Sequence, residues 1–473
     1  MVFSSPMFLF LFLPVVLVIH LLIKVEYRNL LLLVVSLLFY SLGEPQFVVL
    51  MVISIVINYF YGLLVAKKYK DTTRKLVLFF AIVTNLGMLI FYKYINFIVD
   101  NFNIMFHVNF YLEPIPLPLG ISFYTFHSLS YVIDIYRRKS EPQKNLFDLA
   151  LYISFFPQLV AGPIVRYHDI AKQLKTRILS LEHINQGFQR FILGLGKKVL
   201  IANPLGLVAD QIFAQNTQEL TTGAAWLGII CYTLQIYFDF SGYSDMAIGL
   251  ARIFGFSFLE NFNYPYIAKN IVGFWRRWHI SLSNWFRDYL YIPLGGNRVS
   301  SVRVYLNLVI VFFCTGFWHG ASWNFVFWGL FHGFFMLLER SPLGKLLDKM
   351  WAPFQHAYVL LVVMVGWIFF KANDFQHAIA YIKTMVGLNK NSMYSSMYYL
   401  DKELITVIIL AIIGATPLLK MLLSYGESWL DRKNSKYQIL KLFFIVITGS
   451  IILLLVSAAL ASQTYNPFIY FRF

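Results

Sequence analysis

The sequence predicts an all-α polytopic membrane protein of about 10–12 transmembrane helices, with re-entrant and interfacial helices among them. Two observations carry this prediction. The 473 residues are 59% apolar and only 13% charged, with a mean hydropathy of +0.64, whereas soluble domains carry about 25% charged residues. Apolar stretches near the length needed to cross a bilayer, about 20 residues, also recur from Met1 to Phe473 without a long polar interval. A soluble globular enzyme is excluded, and residues 1–473 read as a single integral membrane domain.

The early spans fall at 7–23, 29–42, 46–66 and 76–98. Their connections alternate in charge. Lys24 and Arg28 follow the first and Glu44 the second; Lys67, Lys68, Lys70, Arg74 and Lys75 follow the third; the loop 99–116 holds no Lys or Arg. The positive-inside rule then places the N-terminus outside the cytoplasm. Met1–His20 lacks the basic start and small-residue cleavage site of a signal peptide, and reads as a retained first span.

A crossing at 117–136 returns to a basic loop at Arg137, Arg138, Lys139 and Lys144, yet the next apolar stretch also ends in a basic loop, at Arg166, Lys172, Lys175 and Arg177. A segment entered and left on one side is not a simple span. Pro157, Gly162 and Pro163 break any helix there, so 146–163 is expected to be re-entrant and to border a cavity, where irregular backbone at membrane depth is tolerated.

Long apolar stretches at 186–214 and 222–256 lead to residues 269–303, which mix arginines with three tryptophans and suit an interface or a cavity wall. Further apolar stretches follow at 304–339, 353–370, 403–424 and 440–461, with basic clusters at 340–349 and 432–441. The stretch 304–339 fits either a hairpin or one bent helix. Phe375, Ile379, Ile382 and Val386 recur at helical spacing with polar residues between them, as in a helix lying on the outer surface. No internal repeat or polar linker argues for a second domain.

Positive-inside loops explain the net charge of +16, so no nucleic-acid partner is expected. Cys231 and Cys314 sit in apolar surroundings and form no disulfide framework or metal site. There is no H-E-x-x-H, C-x-x-C, G-x-x-x-x-G-K-[ST] or G-x-S-x-G. Histidine-centred chemistry inside the membrane, or transport, is left.

An ionisable side chain within a span marks a pathway or site unless it can reach the interface. Of ten histidines, His20, His107, His168, His183, His356 and His377 lie at helix ends or in loops. His319 lies deep in an apolar run, in Thr315-Gly316-Phe317-Trp318-His319-Gly320-Ala321-Ser322-Trp323, where glycines let another chain or a ligand approach the backbone. That context leaves a functional and a buried structural histidine equally open. His332 would lie about 220° around one helix from His319, which favours a structural role. On a helix, Trp275, Trp278, His279 and Trp285 share a face. Either they anchor at the headgroups, or they wall a polar cavity where guanidinium groups meet a phosphate-bearing ligand.

These residues resemble the membrane-bound O-acyltransferase (MBOAT) family, and within it the bacterial branch that serves alginate O-acetylation. Seven stretches match in order: residues 118–124, 156–164, 261–266, Phe274-Trp275-Arg276-Arg277-Trp278-His279-Ile280-Ser281-Leu282, 291–297, Gly316-Phe317-Trp318-His319-Gly320, and 466–473. The resemblance implies helices around a central tunnel, with His319 as the catalytic histidine and His279 as a second active-site histidine. Trp275, Arg276, Arg277, Trp278, Asn284 and Trp318 are expected to contact substrate.

It further implies a bacterial inner-membrane enzyme that takes an acyl group from cytoplasmic acyl-CoA, acetyl-CoA in that branch, as a co-substrate rather than a tightly bound cofactor. The group goes to an extracytoplasmic acceptor system, a partner SGNH-type acyltransferase that modifies a polysaccharide. A neutral His319 could deprotonate an acceptor hydroxyl, with His279 orienting it, sharing the proton or stabilising the oxyanion; an acyl-imidazole on His319 is the other route. D-alanyl transfer to teichoic acid from a carrier protein, a transporter and a scaffold are the alternatives.

Overall fold

A computed structural model describes residues 2–177, 179–389, 393–422, 424, 436–462 and 465–466. It is helical, with no strand among the described residues. All but Asn466 of the match at 466–473, and Arg432 and Lys433 of the basic cluster at 432–441, lie outside them. By compactness the chain divides into Met1–Phe188 with Ala247–Leu259, and Gln189–Met246 with Glu260–Phe473. Six helical stretches are long and apolar enough to cross a membrane among the described residues, and Phe8–Leu22 and Trp323–Leu338 are shorter apolar helices.

The first unit contains α1 (Leu13–Leu22), α2 (Arg28–Ser41), α3 (Val48–Ala66), α4 (Asp71–Phe106), α5 (Ile121–Tyr136), α6 (Leu146–Ser154), α7 (Phe156–Leu159) and α8 (Tyr167–Lys175). Between α3 and α4, Asn58 and Asn85 exchange two amide hydrogen bonds of 3.0 and 2.8 Å in the interior. Buried amides have no water to turn to, so each supplies the other's missing partner. The region 146–163 is broken as its prolines require. Helix α6 has nine residues, about 14 Å at 1.5 Å per residue, which is less than half a bilayer core. Gly120 opens α5 at φ +76°, and a β-carbon there would stand 2.7 Å from the Leu159 carbonyl oxygen, so only glycine lets α7 approach this closely.

The second unit takes up the chain within α9 (Leu181–Gly196), which runs through a π-helical turn at Lys197–Ala202 into α10 (Asn203–Ala214). Helix α11 (Thr222–Ile253) follows, then two short helices, α12 (Ile271–Trp275) and α13 (Ile280–Phe286). The single helical face expected for residues 275–285 is not formed, because His279 adopts φ +44° and ψ +54° and ends helical continuity.

The stretch 304–339 is a hairpin of α14 (Ser301–His319) and α15 (Trp323–Leu338). The break is written in Gly320 and in Ser322, whose hydroxyl accepts from the Asn324 N–H at 3.2 Å and caps α15. The arms touch backbone to backbone: a β-carbon at Gly329 would overlap the Phe312 carbonyl oxygen and stand 2.9 Å from Gly316 Cα. Helices α16 (Pro342–Lys349), α17 (Ala352–Lys371), α18 (Phe375–Met385), α19 (Lys402–Gly414) and α20 (Lys436–Ser462) complete the unit. Helix α18 is the amphipathic helix expected outside. It packs Ala378, Tyr381 and Met385 inward, however, while Ile379 and Ile382 are half-buried and Val386, just past its end, is exposed, so the predicted stripe lies at the margin of the buried face and not at its centre.

Candidate active site

His319 is the last residue of α14 and is buried. Three aromatic rings stand edge-to-face around it: Trp318 with centroids 4.9 Å away, Trp328 of α15 at 5.0 Å and Phe370 of α17 at 5.3 Å. Such edge-on packing fixes ring orientation. The place of His319 at the carbonyl end of α14 is one that favours positive charge on a side chain.

His279 neighbours the same Trp318, its centroid 6.3 Å from that indole. Phe240 of α11 covers it edge-on at 4.6 Å. Its left-handed conformation costs a non-glycine residue about 1–3 kcal/mol and is held from both sides. The Ile280 N–H donates to the Asn261 carbonyl, and the Asn263 N–H to the Arg277 carbonyl, each at 2.9 Å.

Asn261, itself fully buried, decides how His279 is protonated. Its Oδ1 accepts from the Ser281 N–H at 3.2 Å and the Ser281 hydroxyl at 2.9 Å, and its Nδ2 donates to Ser244 Oγ at 3.0 Å. A backbone N–H can only donate, so the atom facing it is the amide oxygen. His279 Nδ1, 3.1 Å from that oxygen, therefore carries the proton. Nε2 is left with its lone pair and has no hydrogen-bond partner among the described residues. Burial pushes this imidazole down from 6.5 to about 3, so it is neutral throughout the physiological range, with Nε2 a hydrogen-bond acceptor.

That arrangement gives a pH prediction. Asn261→Asp keeps the acceptor and adds a negative charge, which favours protonated His279 and raises its pKa. The acid limb of the turnover profile moves to higher pH. Asn261→Ala, which removes the acceptor, lowers turnover by about 10-fold or more. A pH series on both variants checks this.

The remaining predicted residues divide. Trp318 neighbours both histidines. Trp275 is buried edge-on to His332 at 5.1 Å and Trp328 at 5.6 Å. Trp278 is buried on Phe274 and lies 4.9 Å from Trp367. Arg277 is half-buried and donates to the Asn263 carbonyl at 3.0 Å, which fastens the loop rather than facing a ligand. Arg276 is exposed and Asn284 half-buried on α13.

His332 is nearer the site than one continuous helix allows. Because α14 and α15 are separate arms, Trp328 touches both His319 and His332, the latter at 5.3 Å. Sequence reasoning passed over Asn261 and Ser281. It also passed over the ion pairs of the second unit: Lys198–Asp239 at 2.6 Å, Lys371–Asp210, and Arg190 and Lys197 with Asp245. Asp239 and Asp245 inside the apolar stretch 222–256 were the available signal.

Comparison with known proteins settles the class. The model of the MBOAT, membrane-bound O-acyltransferase family, matches residues 47–371. The chain belongs to this family. It is 41% identical over 490 residues, covering both chains entirely, to the probable alginate O-acetylase AlgI of Pseudomonas putida. It is 35% identical to the peptidoglycan O-acetyltransferase of Helicobacter pylori, over all of this chain and 98% of that one. With the teichoic acid D-alanyltransferase of Bacillus subtilis the identity is 29%, over 55% of this chain and 70% of that one. This membrane-bound O-acyltransferase is therefore a multi-pass acyltransferase, and transport or scaffolding without chemistry falls away.

Proposed function

We propose that this acyltransferase takes an acetyl group from cytoplasmic acetyl-CoA and passes it across the inner membrane to an extracytoplasmic SGNH-type partner that O-acetylates an exopolysaccharide such as alginate. The end-to-end identity of 41% with a probable alginate O-acetylase carries this reading. The similarity to a D-alanyltransferase covers only about half of the chain, which makes D-alanyl transfer the weaker alternative. Peptidoglycan is the second acceptor to test, because that O-acetyltransferase also matches over the whole chain.

In this reading His319 is the base. It removes the proton of the acceptor hydroxyl as the oxygen attacks the thioester carbonyl carbon. The carbon–sulfur bond then breaks, and the proton passes to the departing thiolate, giving an ester and free CoA thiol. His279 Nε2 accepts a hydrogen bond from a neighbouring O–H or N–H group of the bound substrates and so orients them; a bare lone pair suits that role and does not suit donation to an oxyanion. Trp318 lines the approach, with Trp275 and Trp278 packed behind it, and the exposed Arg276 is offered to the donor's phosphates.

Orientation follows from the hairpin. Arg298 precedes α14 and Arg303 stands in its first turn, while Arg340 and Lys345 follow α15, which favours both ends of the hairpin in the cytoplasm. Arms of 19 and 16 residues, about 28 and 24 Å long, compare with a hydrocarbon core of about 30 Å, so a hairpin rooted in the cytoplasm carries His319 across most of it.

The test is polysaccharide and peptidoglycan O-acetyl content in cells lacking this chain, complemented with wild type or His319→Ala at matched membrane abundance. Restored exopolysaccharide acetylation with wild type alone is the expected result. Acetylation unchanged by the deletion, or full rescue by His319→Ala, overturns the proposal.

A further inference from the structure

His279 is held through two short stretches of chain, Ser244-Asp245 on α11 and Glu260-Asn261 in the loop after it. Asn261 bonds the His279 ring, and Ser244 bonds Asn261. Each of these residues has a carboxylate as its sequence neighbour, and one guanidinium binds both. Arg190 of α9 donates from Nε and Nη2 to Asp245 Oδ1 at 3.0 and 2.8 Å. From Nη1 it donates to Glu260 Oε1 at 2.5 Å, and from Nη2 to Glu260 Oε2. Lys197 adds a bond of 2.7 Å to Asp245 Oδ2. Nearby, α9 and α11 meet backbone to backbone, since a β-carbon at Gly194 would stand 2.6 Å from the Gly242 carbonyl oxygen.

We propose that Arg190 is a positioning residue for acyl transfer: by clamping Asp245 to Glu260 it fixes Ser244 against Asn261, and through Asn261 the tautomer and aim of His279. This rests on the reading of His279 as part of the reacting site. Only a planar fork reaches two carboxylates at once; an ammonium in its place can hold one. The side chain of Glu260 is 58% exposed, and exposed ion pairs add little to stability. The Glu260 arm therefore acts on rate more than on folding, whereas the Arg190–Asp245 arm is largely buried and its loss also costs stability.

The experiment measures thiol release from acetyl-CoA by membranes holding the full chain and its acceptor system, at matched abundance, across donor concentrations. Arg190→Gln and Arg190→Lys are both expected to lower kcat by about 10-fold or more with KM for acetyl-CoA unchanged. Arg190→Gln added to Asn261→Ala is expected to cause no further loss, because both act through one contact. An unchanged kcat, a raised KM at constant kcat, or effects that multiply overturn the proposal. If Arg190→Gln fails to reach the membrane, Glu260→Gln carries the same expectations, since it leaves Asp245 paired with Arg190 and Lys197. His279→Ala separates the two readings. A fully active His279→Ala sinks the role of His279 itself, whereas an inactive one beside a fully active Arg190→Gln sinks only the clamp.

Discussion

Replacing His319 with alanine is expected to lower acyl transfer by about 10²–10⁴-fold, the range supplied by a positioned general base. The imidazole stands at the carbonyl end of α14 between Trp318, Trp328 and Phe370, so its loss removes the base and also opens a void among three rings. His319→Gln separates the two effects. It nearly fills the volume and accepts hydrogen bonds, yet takes no proton near neutral pH. Equal loss in both variants, at wild-type abundance, assigns the effect to proton transfer. Recovery of rate in His319→Gln would mean that packing alone matters at this position. Initial rates of thiol release at saturating acetyl-CoA make the comparison.

The second large effect is expected at Gly329. An added methyl would overlap the Phe312 carbonyl oxygen and press on Gly316 Cα. Both are backbone, so no rotamer change relieves the clash. Overpacking in such places costs about 1–3 kcal/mol or more, and the arms of the hairpin must part to accept it. Since His319 ends one arm and Trp328 adjoins Gly329 on the other, Gly329→Ala should reduce both thermal stability and transfer. Gly87→Ala in α4 is the control: nothing stands within 4 Å of its added β-carbon, and the change improves helix propensity. A melting temperature for Gly329→Ala equal to that of Gly87→Ala contradicts the close crossing.

The spans were legible because a bilayer imposes length and apolarity locally. Helices α3 and α17, at Val48–Ala66 and Ala352–Lys371, fall almost where apolar runs of 20 residues place them. The broken region 146–163 was legible from Pro157, Gly162 and Pro163 for the same local reason. The bend at His279 was not. No glycine or proline marks it, and the left-handed residue is stabilised by Asn261, 18 positions away. His332 was misplaced because its angle from His319 was measured around one helix. Gly320 and the capping Ser322 divide that helix in two, and two arms can turn separated residues onto one indole. The charge clamp on α11 is not legible in any one span, because Asp245 is matched by Arg190 and Lys197 from another stretch of helix. Pairing across helices is a tertiary property that no periodicity reveals.

That His279 and His319 act as one unit beside Trp318 is tested most directly by transfer rates of His279→Ala, His319→Ala and the double variant at matched membrane abundance. Groups that serve one step lose their effect together, so the double variant is expected to be no slower than His319→Ala alone. Losses that multiply in the double variant, or a His319→Ala enzyme that still transfers at the wild-type rate, would contradict it.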